Sequence, residues 1–146
     1  MKKLFAILLA GVIMVGSAAC SKSDSGSSQP ADNNQQQPAV EVMEMKGQEL
    51  VDLMADEAKS AETVVVDVRK TEEFDAGHIE GAMNVTLEEI QENPALLEEY
   101  KEKTVVLYCN TGNRSGKAAK VLVDNGYTTV YNADGVKDFE YKLVTE

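Results

Sequence analysis

The chain has 146 residues, with 14 Lys+Arg against 25 Asp+Glu and a formal net charge of −11. Hydrophobic residues make up 43% and aromatic ones 5%, with no Trp, which suits one ordinary core and hardly two. That acidic surplus argues against a nucleic-acid partner, which needs Lys and Arg to neutralise phosphates, and two Cys with one His exclude a structural zinc site and a disulfide scaffold.

Residues 1–20 read as an export signal. Lys2 and Lys3 give the positive start, Leu4 to Gly16 is an uncharged apolar run, and the small residues Ser17, Ala18 and Ala19 precede Cys20. The run is shorter than the roughly 20 residues a membrane-spanning helix needs. Small residues directly before a Cys resemble a bacterial lipoprotein signal, although Ser17 stands where that pattern prefers a Leu-like residue. The resemblance implies that Cys20 carries acyl chains such as palmitate and anchors an extracytoplasmic protein to the bacterial cell membrane.

Residues 21–40, rich in Ser, Gln, Asn and Pro, have too little apolar content to repay their ordering and are expected to be a disordered tether. Its flexible-coil reach is about 25 Å. The folded domain is then residues 41–146. Leaving out Lys2, Lys3, Lys22, Asp24 and Asp32, it keeps 11 basic and 23 acidic residues, net −12. The pairs Glu72/Glu73, Glu88/Glu89 and Glu98/Glu99 are expected to form solvated faces.

Within the domain, amphipathic spacing predicts a helix over Gln48 to Lys59, with Leu50, Leu53, Met54 and Ala58 on one stripe. Thr63 to Val68, Thr104 to Tyr108 and Thr128 to Tyr131 are β-branched runs without polar alternation, the habit of strands covered on both faces in a parallel sheet. Shorter helices are expected over Leu87 to Gln91 and Ala95 to Lys101. A longer one over Ser115 to Asn125 stops at Asn125-Gly126. Alternation at this spacing predicts an α/β domain, a mostly parallel central sheet with helices on both faces and ligands at the strand C-termini.

Tyr108-Cys109-Asn110-Thr111-Gly112-Asn113-Arg114-Ser115 leaves a strand and enters a helix. Loop N–H groups and a helix N-terminus converge there, conditions that lower a thiol pKa and expose a thiolate nucleophile. Gly112 lets the loop curl, and Arg114 adds a positive charge. The bland alternative is a buried structural Cys. With Cys20 lipidated, however, Cys109 is an unpaired thiol in an exported protein, which favours use.

Three segments resemble the single-domain rhodanese-like sulfurtransferases. Val66-Asp67-Val68-Arg69 followed by Glu72-Glu73-Phe74-Asp75-Ala76-Gly77-His78-Ile79-Glu80-Gly81-Ala82-Met83-Asn84-Val85 is similar to one family segment. Cys109 to Ser115 is similar to its CxxGxRS active loop, and Tyr131 to Gly135 to its C-terminal strand and glycine turn. The resemblance spans roughly Val42 to Val144. The six residues from Cys109 to Arg114 match the sulfur-handling members, whereas related phosphatases carry a loop one residue longer with His before the Cys.

The resemblance implies ping-pong sulfur transfer. The Cys109 thiolate takes the outer sulfur of a small donor such as thiosulfate, releases sulfite and holds a persulfide. A thiophilic acceptor, cyanide or a thiol (including a thiol protein), then removes that sulfur. Amides from Asn110, Thr111, Gly112, Asn113, Arg114 and Ser115 would cradle the anion, and no metal or organic cofactor is implied. Asp67 and Arg69 are supporting candidates, as loop positioners or as a buried pair. Arg114 either contacts substrate or braces the loop, and His78 is expected to be a structural turn residue. Asn110 departs from thiosulfate-preferring members, which carry a basic residue there, and Phe139 stands where the family usually has a Trp. A second reading is a sulfur-carrier or thiol-redox protein loaded by a protein partner. A third is a non-catalytic binding module.

Overall fold

The computed structural model describes residues 40–145. The expected signal over residues 1–20, with Cys20, and all but the last residue of the expected tether over 21–40 lie outside them. Five strands form a wholly parallel sheet: β1 (Met43–Met45), β2 (Thr63–Asp67), β4 (Met83–Asn84), β5 (Thr104–Tyr108) and β6 (Thr129–Ala133), in the order β1-β6-β5-β2-β4. A separate antiparallel pair joins β3 (His78–Ile79) to β7 (Leu143–Val144).

The valine runs fill both faces of the sheet. Val64, Val66, Val105 and Leu107 pack on one side with Leu87, Ile90, Ala118 and Leu122. Val65, Val106 and Tyr108 pack on the other with Met45 and Leu50. Period-2 geometry sends neighbours to opposite faces, so a strand apolar at every position needs a cover on each. Burying such a side chain contributes roughly 1.5–3 kcal/mol relative to exposure. The first face is covered by α4 (Leu87–Glu92), a 3-10 helix (Pro94–Tyr100) and α5 (Asn113–Asp124); the second by α1 (Gly47–Ala55).

Local structure corrects the sequence reading in three places. The helix expected over Gln48 to Lys59 is two, α1 and α2 (Glu57–Ala61), because the Asp56 carboxylate caps the second by accepting from the Ala58 and Lys59 amides. The segment expected as a helix over Ala95 to Lys101 is 3-10, with Pro94 in its first turn and Leu97 at φ −109°, ψ 18°. A short helix not expected, α3 (Thr71–Asp75), follows β2. Because all five sheet strands run the same way, their C-termini share one edge. Central β5 ends there at Tyr108, and Cys109 is the next residue.

Candidate active site

Cys109 follows β5 directly, and residues 109–112 connect it to α5. Gly112, at φ +76°, turns the chain at the helix N-cap, a conformation that a side chain would strain. The first intrahelical bond there runs from the Gly116 N–H to the Gly112 carbonyl at 2.8 Å. The amides of Asn113, Arg114 and Ser115 precede it and have no carbonyl of the helix to serve. The positive end of α5 therefore faces the sulfur.

Cys109 is 1% exposed and free. Burial pushes its thiol pKa up. Hydrogen bonding from the Ser115 hydroxyl and from the Ser115, Thr111 and Arg114 amides outweighs that, and the net shift is below the ordinary thiol value. Ser115 Oγ lies 3.4 Å from Sγ and also 2.7 Å from Asn132 Oδ1. The Asn132 amide is oriented by Glu44, whose two carboxylate oxygens accept from Nδ2 at 3.3 and 3.2 Å.

The turn after β6 closes the loop from behind. The Val136 and Lys137 N–H groups donate to the carbonyls of Cys109 and Asn110 at 3.0 and 2.9 Å. A Cβ on Gly135 would collide with the Asn110 carbonyl and the Thr111 amide, so this close approach needs glycine. With those two carbonyls held outward, the amides that follow are free to face the sulfur.

Besides Asn132 and Glu44, sequence reasoning missed a third polar residue of this site. Glu73, expected on a solvated face, is instead half-buried against the loop. Its Oε1 accepts from Asn110 Nδ2 at 2.7 Å and from Arg114 Nη2 at 3.1 Å, and its Oε2 from Arg114 Nη1 at 2.8 Å. The Arg114 guanidinium holds the Glu73 carboxyl well below its usual range, at about 2, against an opposing push from burial. The acidic pair Glu72-Glu73 gave no sign of this, because the contact spans 37 to 41 residues of sequence. Its neighbour Glu72 is exposed as expected.

Asp67 and Arg69 form a buried ion pair, Arg69 Nη2 to Asp67 Oδ2 at 2.6 Å, and the same Nη2 donates to the Gly77 carbonyl at 2.7 Å. Their side-chain hydrogen bonds go to each other and to Gly77, none to residues 109–115. The Arg114 guanidinium is paired with Glu73. His78 is buried, stacks on Phe74 at 3.7 Å and places Nδ1 3.0 Å from the Phe74 carbonyl. Among the described residues no cluster of three or more His, Cys, Asp or Glu could hold a metal ion. A cavity of about 650 Å³ bordered by Leu53, Met54, Met83 and Tyr100 shares no lining residue with the Cys109 loop.

The family model of the rhodanese-like domain matches residues 47–138. The chain is 44% identical over 73 residues to thiosulfate sulfurtransferase PspE of Escherichia coli, covering 50% of this chain and 70% of that protein. It is 34% identical over 89 residues to a tRNA uridine(34) hydroxylase of Pectobacterium carotovorum, of which it spans only 24%. A solved rhodanese with anions from E. coli superposes with a TM-score of 0.52 at 39% identity, covering 57% of this chain and 99% of that one.

Proposed function

The chain belongs to the rhodanese-like sulfurtransferase family, and from that premise we propose that it moves a sulfane sulfur from a small donor to a thiophilic acceptor through a persulfide on Cys109. The observation that carries the reading is a thiol of lowered pKa at the end of β5, beneath the amides that open α5. A thiolate is the nucleophile in such chemistry, and here its surroundings generate it without a separate base.

With thiosulfate as donor, the Cys109 thiolate attacks the outer sulfur and forms a new S–S bond. The old bond breaks, and sulfite leaves with its electron pair. Cyanide then attacks the outer sulfur of the persulfide, leaves as thiocyanate and restores the thiolate. No net oxidation occurs, and the negative charge stays on sulfur in every state. The Thr111, Arg114 and Ser115 amides that favour the thiolate would favour the persulfide anion for the same reason. A PspE relative named for thiosulfate sulfur transfer supports that donor class.

We further propose that residues 1–20 direct export, that residues 21–40 are a tether, and that lipidated Cys20 holds the domain of residues 41–146 at the outer side of the cell membrane. The sequence pattern alone supports this.

Intact mass of the full chain after excess thiosulfate, and then after cyanide, tests the chemistry. The expected result is a gain of one sulfur atom that cyanide removes. In Cys109→Ser the gain should vanish while the thermal unfolding transition stays near that of the parent. Unchanged loading of that variant would overturn the mechanism. Stoichiometric loading without steady-state thiocyanate production would identify a sulfur carrier served by a protein partner.

A further inference from the structure

Arg114 is the single cation between residues 109 and 116, and it is already spent. Glu73 holds its guanidinium through both terminal nitrogens and holds the Asn110 side-chain amide with the same carboxylate. Formally +1 and −1 cancel beside the sulfur. What remains to attract an anion is the row of amides and the partial charge at the start of α5. Those suit one negative charge on sulfur better than a dianion, which must also approach the Glu73 carboxylate through partly aqueous space.

We infer that Glu73 is a specificity-determining residue: by cancelling Arg114 and drawing Asn110 aside, it turns the Cys109 loop toward sulfur carried on thiols, as alkyl persulfide or polysulfide, and away from dianionic donors. This rests on the sulfur-transfer reading above. In the favoured reaction the Cys109 thiolate attacks the outer sulfur of R–S–SH and a new S–S bond forms. The donor's S–S bond breaks, R–S⁻ leaves with the electron pair, and the proton on the transferred sulfur passes to R–S⁻ through solvent.

The test separates electrostatics from turnover by using inorganic sulfate as the probe and the backbone amide resonances of residues 110–115 as the readout, on the full chain at low salt. Removing one negative charge at this range should tighten sulfate binding in Glu73→Gln by roughly tenfold, a gain that salt erases. Glu72→Gln removes the same charge from an exposed neighbour and should stay within twofold of the parent. Glu73→Asp keeps the charge but cannot span both partners, and it should also stay near the parent.

Sulfate binding by Glu73→Gln that is absent, or no tighter than in Glu72→Gln, overturns the inference. So does equal tightening in Glu73→Asp, which would make loop geometry rather than charge responsible. The parent chain supplies a check that needs no variant: its Cys109 should load faster from an alkyl persulfide than from thiosulfate, and the reverse order overturns the inference. Loading from neither donor with the sulfate result intact would sink the sulfur-transfer reading and leave the electrostatic role of Glu73 standing.

Discussion

The Ser115 hydroxyl has one proton and three acceptors within reach, Cys109 Sγ at 3.4 Å, the Gly112 carbonyl at 3.2 Å and Asn132 Oδ1 at 2.7 Å. Glu44 fixes the Asn132 amide with its oxygen toward Ser115, so the proton is shared among two neutral amide oxygens and a thiol that ionises. When the sulfur is anionic it is the stronger acceptor, and the hydroxyl turns to it. Ser115→Ala removes that donor. Its Cys109 pKa should rise, and alkylation by iodoacetamide near neutral pH should slow roughly two- to tenfold, the worth of one hydrogen bond. Thiolate absorbance near 240 nm against pH checks the direction, and an unshifted titration would show that the amides alone set the pKa. Of these residues, Cys109 and Ser115 were legible in sequence because both sit in one seven-residue loop. Glu73, Asn132 and Glu44 were not, because polar partners brought together by folding leave no periodic or spacing signal.

Among the elements, the turn beginning at Gly135 sets the back wall of the loop. Its amides hold two loop carbonyls, and its glycine permits the contact. Gly135→Ala should cost about 1–3 kcal/mol by overpacking. It should also slow Cys109 alkylation more than that loss of stability explains, because the loop carbonyls lose their clamp. Urea unfolding and alkylation kinetics on the same variant measure the two effects separately. β2 and β5 were readable from their unbroken β-branched runs. β1 was not, since three residues, two of them exposed, carry no alternation to read. The five-residue α3 is polar throughout except for Phe74, so no apolar stripe announces it. Where one helix became α1 and α2, the periodicity was real but the Asp56 cap cut it. Local side-chain chemistry overrode a pattern that considers only apolar spacing.

For the whole molecule, residues 41–146 carry by sequence a net charge of −12. This acidic surplus disfavours anions at a distance, and salt at about 0.1 M screens that field beyond a Debye length of about 10 Å. The proposed anchor is tested by Cys20→Ala, which should move the protein from the membrane pellet to the soluble fraction of fractionated cells; retention after signal cleavage would argue against lipidation. The parallel order of the sheet was legible in outline because strands apolar on both faces require helices on both. The placement of β1 beside β6 was not, since a long-range edge pairing depends on three backbone partners. The nearly complete burial of Cys109 has its own consequence for the proposed cycle. An added sulfur stands about 2.05 Å beyond the one that holds it, so in that cycle loading would carry the reactive atom away from the buried Sγ. The empty protein would keep its thiol away from adventitious oxidants, whereas the charged protein would offer its cargo at the doorway, telling an acceptor by reach alone which copies have something to give.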